Sequence, residues 1–128
     1  MADETIKGVI TEGRCAAVAS GAIVKGTAVK PTTTQGVWIE CTAGDVAKGI
    51  ANESVADGKD FSVTLIGGAE ALAGAAIATP GTWLKATTDG KLIAVTTDAD
   101  PHVAYSMGIA TALNDMIPVF VLPGMTEV

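Results

Sequence analysis

The chain has 128 residues, a net charge of −6, 48 % apolar residues, 17 % charged residues and 4 % aromatics. That length sets one domain, large enough to bury roughly two thirds of its unfolded surface. The apolar content excludes a disordered segment, and eight basic residues without a run exclude a nucleic-acid footprint or an anionic membrane surface.

Fifteen glycines with many Thr and Val residues point to strands and turns, and scarce aromatics leave the core to Val, Ile, Leu and Ala. Residues 1–12 read as an N-terminal arm. Met1-Ala2-Asp3-Glu4 is acidic and no apolar signal region follows, so the cytosol of the producing cell is the expected compartment. Ile6, Val9 and Ile10 give the arm an apolar, β-branched strip that can add a strand to a partner's sheet edge. The alternative is that Thr5 to Thr11 forms the domain's first strand.

The domain proper is expected over 13–128. A small-residue segment (Cys15 to Ile23) leads into a Gly-Thr strand, Thr27 to Lys30. A turn and a return strand follow, Val37-Trp38-Ile39-Glu40. Gly49-Ile50-Ala51 is the next short strand. After a polar loop with Asp57-Gly58-Lys59, apolar residues alternate at Phe61, Val63 and Leu65, which predicts a strand with one face buried. Gly67-Gly68 ends it.

The same order of phrases then returns. Glu70 to Ile77 carries the only helix signal, one or two turns at most, weakened by Gly74. Gly81-Thr82-Trp83-Leu84-Lys85 repeats Gly26 to Lys30. Asp89-Gly90 is a strong hairpin signal, because glycine accepts positive φ without steric cost, and Lys91 to Val95 returns from it. Gly108-Ile109-Ala110 aligns with Gly49-Ile50-Ala51, Ile117, Val119 and Val121 with Phe61, Val63 and Leu65, and Gly124 with Gly68. Two related β modules are therefore expected, at about 13–68 and 69–124. They would form an all-β, barrel-like or sandwich domain with at most one short helix. Val29, Ile50, Val63, Leu65, Leu84, Ile109, Val119 and Val121 are the expected core, with Gly26 over Gly81 and Gly49 over Gly108.

Residues for chemistry are sparse. His102, the single histidine, follows Asp98 and Asp100 in "DADPH", a metal pattern without a distant partner and better read as a solvated turn. The sequence shows no Walker loop, G-x-S-x-G elbow or Cys-x-x-Cys. Cys15 and Cys41 read as buried thiols, with a disulfide as the lesser alternative. No catalytic, cofactor or metal residue is assigned. A carbohydrate- or host-surface-binding β module and a small hydrolase gathering His102 with carboxylates stay open as alternatives. The first would rise if Trp38 and Trp83 shared an exposed groove.

Gly26-Thr-Ala-Val-Lys30, Lys48-Gly-Ile-Ala51, "ESVADGKDFSVTLIGG" (53–68), Gly74-Ala-Ala-Ile77, Gly81-Thr-Trp-Leu-Lys85 and "MGIATALNDMIPVFVLPG" (107–124) together resemble tailed-bacteriophage capsid decoration proteins, also called head-stabilising or cement proteins. The chain departs from some of them in its two tryptophans and its longer Val46 to Asp60 region. The resemblance implies a non-enzymatic virion protein on the outer surface of the capsid. It would clamp major capsid subunits, without a cofactor, often as a homotrimer. Candidate capsid or protomer contacts are Ile6, Val9, Ile10, Trp38 and Trp83.

Overall fold

The computed structural model describes residues 10–11, 13–96 and 100–125. Apart from a 3-10 turn at Thr88–Gly90, the regular elements among these residues are all strands. The first six are β1 (Ile10–Thr11), β2 (Arg14–Ser20), β3 (Ala28–Pro31), β4 (Val37–Glu40), β5 (Gly49–Ala51) and β6 (Asp60–Thr64). They run in the order β1-β2-β4-β3-β5-β6, and β6 returns to pair with β2. Strands β2 to β6 thus close into a barrel, with β1 on its rim through Ile10 opposite Cys15.

The second sheet holds β7 (Gly67–Leu72), β8 (Trp83–Ala86), β9 (Leu92–Ala94), β10 (Pro101–Ser106) and β11 (Met116–Met125), in the order β7-β11-β10-β8-β9. A single parallel bridge, Ala73 to Leu92, brings β9 back to the end of β7 and closes this ring as well. Each pairing has a counterpart in the first barrel. Ala17 lies opposite Phe61 as Ala71 lies opposite Ile117, and Ala19 lies beside Trp38 as Ala73 lies beside Leu92. The Gly26 N–H donates to the Ala51 carbonyl at 2.9 Å, and the Gly81 N–H to the Ser106 carbonyl at 2.6 Å. Two related all-β modules are what the chain builds.

Alternation decides what fills each ring. Cys15, Ala17, Ala19, Ile23, Val29, Trp38, Ala51, Phe61 and Val63 form the first interior. In the second, Ala71, Ala73, Ile77, Leu84, Leu92, Ile117 and Val119 take the matching places. Ala28, Cys41, Ala47 and Ile50 of the first barrel join the second cluster, so the barrels share a packed layer.

Several expectations change. The counterpart of Gly49–Ala51 is Ala104–Ser106, because Val29 faces Gly49 as Leu84 faces Ala104. Gly108-Ile109-Ala110 is a look-alike phrase in the following loop, where Ala110 bridges Ile77 as Val55 bridges Ile23. Ile109 is accordingly 55 % exposed, not core. Leu65 is half-buried, while the other six expected core residues are buried. Glu70 to Ile77 is not helical: its first half is β7, held in register by β11, and pairing overrides the Ala/Leu preference. The second module starts at Gly67, opposite Val121.

Two glycines separate backbone need from close packing. Gly58 sits at φ +78 with nothing within 4 Å of an added Cβ. Its N–H bonds to the Ala19 carbonyl, as the Asn114 N–H bonds to the Ala73 carbonyl, and Asn114 holds φ 71. Gly90 has φ +71, and a Cβ there would meet Glu40 Cγ at 2.8 Å and Thr27 Cβ at 2.9 Å across the inter-barrel contact. Gly58→Asn is expected to be near neutral and Gly58→Ala to cost about 1 kcal/mol, from the left-handed penalty alone. Gly90→Val is expected to cost more, on the order of 2–3 kcal/mol, since strain and overpacking combine. Urea unfolding of the three variants checks this order.

Candidate functional site

Polar side chains gather where the barrels meet. An open cleft of about 550 Å³ is lined by Arg14, Lys25, Asn52, Glu53, Ser62 and Glu70, among others. Outward positions of β2 and β6 supply Arg14 and Ser62, and β7 supplies Glu70. Asn52 Nδ2 donates to Ser62 Oγ at 3.0 Å, and Thr64 Oγ1 donates to Asn52 Oδ1 at 2.9 Å. The Ser62 N–H donates to Glu53 Oε1 at 3.1 Å, and Lys25 pairs with Glu70 at 3.2 Å. These bonds pin the loop after β5 to β6 and tie the two barrels together. The Ser62 hydroxyl accepts from the Asn52 amide, while the neighbouring Glu53 carboxylate is taken by the Ser62 backbone N–H, so neither bond activates the hydroxyl as a nucleophile.

His102 is not in a solvated turn. It lies on β10, 9 % exposed. A register shift between His102 and Ala104 turns Val103 into the core and lays the imidazole against Trp83, ring centroids 4.0 Å apart. Burial pushes the His102 pKa down, partly countered by its hydrogen bond to the Leu122 backbone. Asp100 pairs with Lys85 at 2.8 Å, and Asp98 lies outside the described residues. Among the described residues, no three His, Cys, Asp or Glu side chains come together as a metal site. Cys15 and Cys41 are both buried, free thiols in different core clusters. Burial, with Asp45 nearby, pushes Cys41 up to about 12, which keeps it an unreactive thiol at neutral pH.

The contact candidates separate. Ile6 and Val9 lie outside the described residues, and Ile10 supplies backbone to β1. Trp38 fills the first barrel at 7 % exposure, so little of it is left for a partner. Trp38→Ala is a cavity substitution, expected to cost about 3–5 kcal/mol. Because Trp38 and Trp83 share no groove, the condition set for the carbohydrate reading is not met. Trp83 is half-buried and heads an aromatic row. Tyr105 stands directly opposite it on β10, edge-on at 5.5 Å, and Phe120 stands opposite Tyr105 on β11, stacked at 5.5 Å. The sequence signal for this row was phase: Phe120 falls between the inward Val119 and Val121.

No family model matches the chain, and no curated protein matches it. Among solved structures it is similar to the N base of head fiber gp8.5 in bacteriophage phi29. The TM-score is 0.70 at 13 % identity, over 90 % of this chain and 98 % of that one. At that identity the likeness is one of fold.

Protonation of His102 supplies a pH test. Its folded pKa lies below the ordinary 6.5, so its neutral form contributes stability in full above 6.5, and that contribution is lost as pH falls below it. Asp45 is shifted down, chiefly by the Thr42 backbone hydrogen bond, and Asp115 by that of Thr111, so their contributions are lost only at lower pH, below 3.8. The melting temperature is expected to fall between pH 7.5 and 5.5 in the parent and to fall less in His102→Gln. An equal fall in both would show that the imidazole is not the group responsible.

Proposed function

We propose that the chain is a structural, non-catalytic protein of a tailed-bacteriophage head, seated on the outside of the assembled shell and bound to major capsid subunits. The observation that carries this reading is the end-to-end fold likeness to a head fiber base, covering 98 % of that chain. The resemblance of its repeated phrases to capsid decoration proteins supports the same reading. So does the chemistry of the cleft between the barrels, whose hydrogen bonds brace the fold.

A rigid double barrel suits such work. A standard contact buries roughly 800 Å² per partner, and touching several capsid subunits at once makes later contacts effectively intramolecular. The segment 1–9, with Ile6 and Val9, is proposed as an additional docking strip leading into β1.

The test is co-sedimentation and electron microscopy of the purified chain with heads assembled from the major capsid protein of the same genome. Saturable binding at fixed positions on the shell is expected, together with greater resistance of the shell to heat. Deleting residues 1–9 is expected to leave the melting temperature of the free chain nearly unchanged and to weaken shell binding about tenfold or more. Absence of any shell binding by the intact chain would refute the proposal.

A further inference from the structure

One barrel has a strand that the other lacks. Ala17 matches Ala71 in the repeat, so Arg14 matches Gly68 and Cys15 matches Ala69. In the first barrel β1 lies along these positions, with Thr11 opposite Arg14 and Ile10 opposite Cys15. In the second, no described strand lies beside Gly68 and Ala69 on the side away from β11. The repeat has no segment left to supply one. Thr64 and Leu65 hold the place of β1, but Thr64 is already paired with Arg14 and Ile50, and the Leu65 N–H donates to the Gly13 carbonyl at 2.7 Å.

The open edge carries backbone groups without partners. Along a strand, N–H and C=O groups point alternately to its two sides. The Leu72 N–H points away from β11, to the Gly26 carbonyl at 2.9 Å, so Glu70 and Gly68 present theirs on that side too. The facing strand agrees: Pro118, opposite Glu70, has no N–H, and its carbonyl accepts from the Met107 N–H. No described residue bonds to the N–H or C=O of Gly68 or Glu70. Both residues are exposed, and nothing lies within 4 Å of where a Cβ on Gly68 would stand.

This edge is one wall of the 550 Å³ cleft between the barrels. The charges of the cleft are not all taken. Lys25 pairs with Glu70 at 3.2 Å, and Glu53 Oε1 accepts from the Ser62 N–H at 3.1 Å. Arg14, exposed and lining the same cleft, has no ion pair among the described residues.

We infer that the cleft takes an extended acidic peptide segment of a partner protein, which adds a strand to β7 as β1 does to β2. The segment bonds antiparallel to the backbone of Gly68 and Glu70 and brings a carboxylate to Arg14. The Gly26 carbonyl closes the edge at Leu72, so the added strand is confined to Gly68 through Glu70. An unpaired strand edge gives affinity through main-chain bonds, and the neighbouring side chains give selectivity. The inference goes beyond the shell reading and is tested without a shell.

The test is a titration of the isotope-labelled full chain, followed by NMR, with the peptide acetyl-GVITE-amide. This probe copies residues 8–12, the strand sequence of β1 with one carboxylate. Saturable shifts and slowed hydrogen exchange are expected at the Gly68 and Glu70 amides. Gly68→Pro removes the edge N–H and no ladder bond, so it should leave the melt unchanged and weaken binding about fivefold or more. A peptide N-methylated at its threonine, the residue facing Gly68, should bind the parent as weakly, and serves if Gly68→Pro is unstable. Arg14→Gln should weaken binding about threefold, and not at all when the peptide carries Gln in place of its Glu. Absence of saturable shifts at Gly68 and Glu70 overturns the inference. So does binding that ignores both Gly68→Pro and N-methylation, or that ignores Arg14→Gln. Amides already protected in the free chain, and released by deleting residues 1–9 or by dilution, would put the chain's own arm or a second copy in the cleft and overturn it equally.

Discussion

Closing five short strands into a ring leaves a narrow lumen, and most of the structure follows from fitting side chains into it. An eight-stranded barrel is just wide enough to be filled by side chains, and a five-stranded one admits fewer. The first barrel meets this limit with one large ring system at each of Trp38 and Phe61, set among Ala17, Ala19 and Ala51. The second uses Leu84, Leu92 and Ile117 around Ala71 and Ala73. Closure also removes the open edges that would invite strand addition, except along Gly68 to Glu70 of β7. The Ala- and Gly-rich composition is thus a packing requirement, and the aromatics of the second barrel are displaced to its outer face.

Repetition with unequal faces connects this packing to the proposed role. Ala28 and Ile50, both fully buried, pack the first barrel onto the second, and the first barrel's own polar groups brace the cleft between them. A double barrel joined by a packed layer behaves as a stiff block. Its exposed large apolar residues fall in both modules, Val24, Ile39, Val46 and Ile66 in the first and Met107, Ile109, Leu113, Met116 and Leu122 in the second.

Much of the fold was legible because alternation is a local signal. Phe61, Val63, Val119 and Val121 announce their buried face by parity, and Val37 to Glu40 is a strand at the expected bounds. The repeat was legible too, but its register was not. Gly108-Ile109-Ala110 copies the letters of Gly49-Ile50-Ala51 without its pairing, and only the ladder to β8 shows that Ala104 to Ser106 holds the place. That slip hid β10, and with it the environment of His102. The packing of Trp38 was hidden for a related reason: whether a tryptophan on a strand points into a ring or out of it depends on where the ring closes, through the parallel pairing of β2 with β4.

The register of β10 is therefore the central claim, since it alone places Tyr105 between Trp83 and Phe120. Assigned NMR spectra test it through cross-strand contacts. The account predicts contacts from Tyr105 to both Trp83 and Phe120, from the His102 ring to the Trp83 ring, and none from Ile109 to Trp83. Contacts that put Ile109 opposite Trp83, with Tyr105 in a loop, would contradict it.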